Sequence, residues 1–278
     1  MLLQLKEIAP IVKLASSFAS ARDHASPFAY VWFSGGKVRG FSEASGVVLA
    51  AATGIENAAV LGSSLSSLLE SLSAKHSEAD VRETATRLVV KAGSFRAQLP
   101  IWPREVEAPR AWIERELPAG GIELDDAFWF DVAKVQPSAA RDEGMPFMRG
   151  VYWAPDGSLV ACDNVRATMC SPKEGSARHA PLEQGVLVPI QLLDLIGRSS
   201  GFVRAVAEGN NNIWFSGPLG AVYGRLLAAD FPAVHVLSLM TRTRTSAESV
   251  GIRVEPKGDD LTAALDAGDK LEKSFKQH

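Results

Sequence analysis

The sequence predicts an α+β fold made of one unit, a helix followed by several antiparallel strands, repeated four times. Three observations predict it. Helical periodicity appears four times, with starts near residues 7, 63, 127 and 190, so the separations are about 56, 64 and 63 residues. The intervals hold β-rich segments punctuated by Gly- and Pro-containing turns. The chain has 278 residues and is 46% hydrophobic, enough for a substantial core and for two domains. The units share pattern and little identity.

In the first unit Leu5, Ile8, Val12, Ala15 and Ala19 fall on one helical face. Pro10 lacks an N–H and fits only near a first turn, so this helix is expected to begin close to Glu7. A strand follows at Phe28–Phe33 and turns at Gly35-Gly36. The second helix carries Leu65, Leu68, Leu69 and Leu72, with Ser63 as its expected cap. Strands Arg87–Lys91 and Phe95–Leu99 flank Gly93. The third helix is announced by Asp125 and Asp126, presents Phe128, Val132 and Val135, and should stop before Pro137. Strands Met148–Trp153 and Leu159–Cys162 flank the turn signal Pro155-Asp156-Gly157. The fourth helix opens at Pro189 and presents Leu192, Leu193 and Ile196 before Gly197. Strands at Phe202–Ala207, Ile213–Phe215 and Val222–Leu227 complete that unit.

Pairing the units gives domains at 1–102 and 123–240. The stretch 103–122, with Pro103, Pro109 and Pro118, reads as a connector. Residues 241–278 read as a polar linker and a charged tail, with a strand expected at Val250–Val254.

Composition and motif content narrow the function. The net charge is −3, so any grip on nucleic acid must come from local clusters of basic residues. No basic segment precedes an apolar run at the start, and no apolar stretch is long enough to cross a bilayer, so neither leader nor membrane span is expected. Cys162 and Cys170 read as reduced thiols and lack Cys-x-x-Cys spacing. His24, His76, His179, His235 and His278 are scattered without ligand spacing. There is no nucleophile elbow, Walker loop or dinucleotide fingerprint, and Gly35-Gly36-Lys37 reads as a hairpin turn. Neither catalysis, nor a cofactor, nor a metal is expected.

A run of short motifs lies in order along the second domain. Met148-Arg149-Gly150-Val151 is followed by Asp156-Gly157-Ser158-Leu159-Val160-Ala161 and by Cys162-Asp163-Asn164-Val165-Arg166-Ala167. Val186-Leu187-Val188-Pro189, then Tyr223-Gly224-Arg225-Leu226-Leu227, Asp230-Phe231-Pro232 and Val236-Leu237 complete the series. In this order and spacing, residues 123–240 resemble the middle domain of bacterial DNA polymerase III β clamps. The first domain matches that family by architecture only. Cys162, Asn164 and Ala167 stand where the family commonly has Thr, Gly and Leu, and the turn after Phe231-Pro232 is about one residue short. These departures point to a divergent, phage-like clamp.

The resemblance implies a DNA clamp fold and a non-catalytic processivity factor that encircles duplex DNA in the bacterial or infected-host cytoplasm. Bacterial members carry three domains per chain and form dimers. Two domains per chain imply a head-to-tail homotrimer, the other readings being a dimer or a monomer blocked by its tail. Helices would line the hole, where basic side chains meet phosphates without reading bases. The candidates are Lys6, Lys13, Arg22, Lys75, Lys134, Arg141, Arg149 and Arg198, each of which also reads as part of a solvated helix face. Arg149 reads equally as a partner for a carboxylate.

Polymerase and clamp loader would dock short linear motifs in an apolar pocket beside the Asp-x-x-Arg loop. By position the pocket falls to Met148, Ala167, Pro232 and Val236, with Cys162 and Arg166 at its rim. Each is equally readable as ordinary packing. A β-rich virion or assembly protein is the rival reading.

Overall fold

A computed structural model describes residues 2–19, 23–103, 108–142, 144–163, 165–172, 178–197, 201–228, 231–232, 235–236, 238–240 and 242. The chain divides into two compact units, Met1–Phe231 and Pro232–His278. The second contributes few described residues, among them a helical turn in which the Val236 N–H donates to the Pro232 carbonyl at 2.9 Å. Arg22, Arg198 and the expected strand Val250–Val254 lie outside the described residues.

The first unit is four copies of one pattern: strand, helix, three strands. The first copy is β1 (Leu2–Gln4), α1 (Leu5–Phe18), β2 (Tyr30–Ser34), β3 (Lys37–Phe41) and β4 (Ser45–Ala50). The second is β5 (Asn57–Leu61), α2 (Gly62–Ser73), β6 (Glu78–Glu83), β7 (Arg87–Ala92) and β8 (Phe95–Pro100). After a short helix in the connector, α3 (Arg110–Ile113), the third runs β9 (Ile122–Glu123), α4 (Asp126–Val135), β10 (Gly150–Trp153), β11 (Leu159–Cys162) and β12 (Ala167–Cys170). The fourth is β13 (Val186–Pro189), α5 (Ile190–Ile196), β14 (Arg204–Glu208), β15 (Asn212–Gly217) and β16 (Gly220–Arg225).

The leading strand of each copy pairs with the sheet of its neighbour. Thus β1 pairs with β6 and β5 with β2, while β9 pairs with β14 and β13 with β10, all antiparallel. This exchange ties copies together in pairs. Two four-stranded sheets result, β1-β6-β7-β8 and β12-β11-β10-β13. The remaining strands form one eight-stranded sheet, β5-β2-β3-β4-β16-β15-β14-β9, because β4 of the first pair bonds to β16 of the second.

Local chemistry accounts for most boundaries. The Asp125 side chain caps α4 by accepting from the Phe128 N–H at 2.8 Å, and the chain tightens to a 3-10 turn at Gln136–Ser138, as Pro137 requires. Gly35 and Gly36 take φ of 56° and 68°, the left-handed pair that a two-residue hairpin between β2 and β3 demands.

Two details correct the sequence reading. α1 starts at Leu5, two residues before Glu7, leaving Pro10 inside the helix. The Leu5 N–H is bonded to the Ser77 carbonyl at 2.8 Å, so the β1–β6 ladder hands the chain directly into the helix. Ser63 does not cap α2; the helix starts at Gly62 straight out of β5 and no side chain caps it.

One face of the sheets packs against α1, α2, α4 and α5 in a single core that includes Leu5, Val12, Phe33, Val60, Leu65, Trp153, Ile190 and Phe215. The opposite face of the eight-stranded sheet is also apolar, with Trp32, Phe41, Trp214 and Tyr223 buried. The connector covers it. Trp102 donates to the Ala59 carbonyl at the β5 edge, and Ile122 opens β9 at the other edge, so the connector must cross the sheet's width. Midway, the Trp112 ring stacks on Phe41 at 6.0 Å and on Tyr223 at 6.2 Å. Arg115 then lies over the rings of Tyr223 and Trp214 and pairs with Glu208. The polar connector of the sequence reading is therefore a strap across the β4–β16 junction.

Candidate functional site

The β4–β16 joint is built for close approach. Its register runs from Gly220↔Leu49 to Gly224↔Ser45, with Val222 and Val47 paired at its middle and fully enclosed. Tyr223 faces Gly46 across the joint, and a Cβ at Gly46 would run into the Tyr223 ring. Burial pushes the Tyr223 hydroxyl up to about 12, against the opposing pull of Arg115, with which it makes no hydrogen bond of ordinary geometry.

β4 and β16 are the last strands of the first and fourth copies. β8 and β12 are the last strands of the second and third, and among the described residues both end their sheets without a neighbour. Phe95, Arg96, Gln98 and Pro100 of β8 are exposed, as is Ala167 of β12, with Thr168, Met169 and Cys170 half-buried. An unpaired edge of this kind presents backbone donors and acceptors to another strand. The pattern that closes on itself at β4–β16 is left open at β8 and β12.

On the helix face, α1, α2, α4 and α5 carry three lysines against five carboxylates, a net charge of −2. Lys6 is exposed on α1, and Lys75 is exposed just beyond α2. Lys13 is exposed but paired with Glu70 of α2. Lys134 extends over the Phe130 ring at 4.1 Å, and Phe130 itself is 61% exposed. Arg141 pairs with Asp194 at 3.6 Å. Arg149 is half-buried with its Nε unpartnered, so neither the phosphate nor the carboxylate reading of that residue is decided by a contact. Lys6, Lys13, Lys75, Lys134 and Arg141 therefore lie on or beside the helices, and Lys13 and Arg141 are already paired with carboxylates.

Four partner-site candidates lie at one end of the sheet containing β10, β11 and β12. Cys162 faces Ala167 across β11–β12, and continuing the β10–β11 register brings Gly150, two residues after Met148, level with Cys162. Met148 is half-buried and Ala167 exposed. The intervening loop is held by Asp163, whose carboxylate accepts from the N–H groups of Val165 and Arg166, both at 2.8 Å, and from Arg166 Nε at 3.0 Å. Those donors hold its carboxyl below the usual range. Cys162 does not stand at a rim: it is 3% exposed, and burial pushes its thiol up, because β11 is an interior strand. Pro232 and Val236 belong to the second unit.

The sequence reading missed a cavity of about 770 Å³ on the outer face, between the strap and the eight-stranded sheet. Its signal was present: Trp112, Ile113 and Leu117 are apolar residues inside an otherwise charged connector, and Trp214 and Tyr223 alternate with core residues on strands that are apolar on both faces. Among the described residues no group of three His, Cys, Asp or Glu is placed to hold a metal, and no helix is long and apolar enough to cross a membrane.

This architecture matches solved structures of sliding clamps. The β subunit of DNA polymerase III from Thermotoga maritima aligns with TM-score 0.67 and 19% identity, covering 83% of this chain and 65% of that one. The sliding clamp of Pseudomonas aeruginosa bound to griselimycin gives 0.68 and 17%, covering 84% and 65%. The Helicobacter pylori β clamp bound to a DNA ligase peptide gives 0.65 and 15%, covering 84% and 67%. The chain has the sliding-clamp fold and spans about 65% of the length of the first two structures. No family model and no curated protein matches it.

Proposed function

We propose that this protein is a DNA sliding clamp, a ring that encircles duplex DNA and tethers a polymerase without catalysis of its own. One observation carries the reading: of four equivalent copies, the first and fourth are joined last strand to last strand at β4–β16, while β8 and β12 of the other two present the same kind of edge. Pairing β8 of one subunit with β12 of the next repeats the internal joint between subunits, head to tail, and such heterologous contacts close into a ring when the rotation between subunits closes. With domains at 1–102 and 123–240, each subunit supplies two domains. Two such domains supply only part of a ring, so several copies must join head to tail, and a homotrimer is the assembly favoured in this reading.

In this reading the helices line the hole. Their net charge of −2 leaves little attraction for phosphate, so retention is topological and direct binding to short linear duplex is weak. Lys6 and Lys75 are the basic candidates best exposed for passing contacts with the backbone. A polymerase or loader motif docks at the corner formed by Met148, Arg166 and Ala167; the Helicobacter clamp, similarly folded, is bound to a ligase peptide.

The test is retention on a nicked circular plasmid, loaded with a clamp loader or at high protein concentration and then washed with salt. The protein is expected to stay on the circle and to leave when a restriction enzyme opens it. Equal retention on circle and linear DNA overturns the clamp reading and favours an assembly protein.

A further inference from the structure

The β4–β16 joint has a second side. The strap crosses its outer face. On the helix side, between α1 and the loop that leads into β14, lies a cavity of about 360 Å³. Pro10, Leu14 and Ser17 line it from α1 at positions i, i+4 and i+7, one stripe about 10 Å long at 1.5 Å per residue. Leu49 of β4 lies beneath, and the fourth copy contributes Phe202 and Leu219. Between those two the wall is bare backbone. A Cβ at Gly217 would stand 1.8 Å from the Gly201 carbonyl oxygen, so the two segments touch there, while a Cβ at Gly201 would meet nothing within 4 Å. The space is left by missing side chains beside a close backbone contact.

The lining suits neither water nor a peptide. The Ser17 hydroxyl already donates to the Leu14 carbonyl at 2.7 Å, Pro10 has no N–H, and apart from Lys13 the other side chains are apolar, so water finds few partners. β4 is paired on both sides, by β3 and β16, and the Phe202 carbonyl accepts from Trp129 Nε1 at 2.7 Å. Backbone N–H and C=O groups brought in would give up water without replacement, which is costly. An aliphatic chain has no such groups to lose. Lys13 is the one charged residue of the lining. Its pairing with Glu70 joins two exposed side chains, the weak kind of ion pair that a second carboxylate can share.

We propose that this cavity binds a single aliphatic chain that ends in an anionic group. A chain of about eight to ten carbons matches the length of the stripe from Pro10 to Ser17. The chain lies along that stripe over Leu49, and the anionic end lies at Lys13. A free fatty acid and a membrane lipid both carry this chemistry, and the test separates them. The site is on the opposite side of the sheet from the strap, and it does not rest on the ring reading.

The test is isothermal titration calorimetry of the full chain with decanoate, kept below its micellar concentration, beside butyrate and decanol. Decanoate is expected to bind one to one and about tenfold or more tightly than butyrate, because each further methylene leaves water. It is expected to bind about threefold more tightly than decanol, as an exposed ion pair allows. Lys13→Gln is expected to erase the difference between decanoate and decanol. Leu219→Glu, at an exposed position of the mouth, is expected to weaken decanoate about tenfold with thermal stability unchanged, and Ser17→Phe to remove binding by filling the stripe. No saturable binding of decanoate, equally tight binding of butyrate or decanol, or indifference to both Leu219→Glu and Ser17→Phe overturns the proposal. Phosphatidylglycerol vesicles are sedimented with the protein in parallel. Pelleting that free decanoate competes away supports the proposal with a lipid as the source, and decanoate binding without pelleting supports it with a free fatty acid. Pelleting without decanoate binding overturns it in favour of a membrane surface. Retention on circular DNA is read separately, so failure here leaves the clamp reading standing, and the converse holds.

Discussion

The inner joint and the outer edges use the same element, the last strand of a repeat, and treat it oppositely. At β4–β16 the strands are paired through Val47 and Val222, Gly46 admits the Tyr223 ring, and Trp112 stacks across the top. At β8 and β12 the described residues offer no partner strand and no strap, and the side chains are exposed or half-buried. The difference teaches that the fold spends its apolar surface on making the joint inside the chain permanent. It leaves β8 and β12 as exposed or half-buried edges, the kind of surface the proposed ring would use for joints that can open. Obligate contacts resemble a core, and contacts that must come apart do not.

The largest effect is expected from placing a charge inside the inner joint. Val222→Asp buries a carboxylate with no partner and should cost about 4 kcal/mol or more, enough to abolish a cooperative thermal transition. A variant melting within a few degrees of the parent would show that the joint is not the core of the molecule. Removing the strap's wedge comes next. Trp112→Ala loses ring contacts with Phe28, Phe41 and Tyr223 and should cost about 2–3 kcal/mol, since Trp112 is only half-buried. Urea denaturation measures it; a loss below about 0.5 kcal/mol would make the connector a mere tether.

Titration of Tyr223 sharpens the same contrast. Its hydroxyl is held protonated to about 12 in the folded chain against an ordinary value of 10, so its contribution is complete below pH 10 and is lost as pH rises towards 12. Tyr223→Phe should leave stability at neutral pH nearly unchanged, because the hydroxyl makes no hydrogen bond of ordinary geometry, and should flatten the alkaline decline. Melting temperatures from pH 8 to 12 read this out, and parallel declines in both proteins would refute it.

The smallest effect on stability is expected at the outer edge. Ala97→Asp on the half-buried face of β8 should change stability by less than about 0.5 kcal/mol. Under the proposed ring it should nonetheless lower the solution mass to that of a monomer, because a carboxylate would enter the β8–β12 pairing. Light scattering that finds the mass unaltered removes β8 from the assembly.

Much of this molecule was legible in its sequence. The four helices fall where 3.6-residue periodicity placed them, because each needs an apolar stripe against a sheet; Asp125 marked the start of α4, and Gly35-Gly36 marked the β2–β3 turn. The short motifs from Met148 to Pro232 carried the resemblance that the solved clamp structures bear out at the level of fold. Strands such as β1, β5 and β9 were not foreseen, since a strand of two to five residues carries too few alternations to register as a period. The exchange of leading strands between copies, the β4–β16 joint and the strap could not be read from periodicity at all. Pairing partners are chosen by which edges meet in space, and Cys162 looks the same in sequence whether its strand is an edge or an interior one. The sequence by itself determined the repeat, the helix stripes and the turns, which are local properties of the chain. Only the tertiary structure decided which last strands are joined and which are left open, because that depends on contacts between residues such as Gly46 and Tyr223 far apart along it.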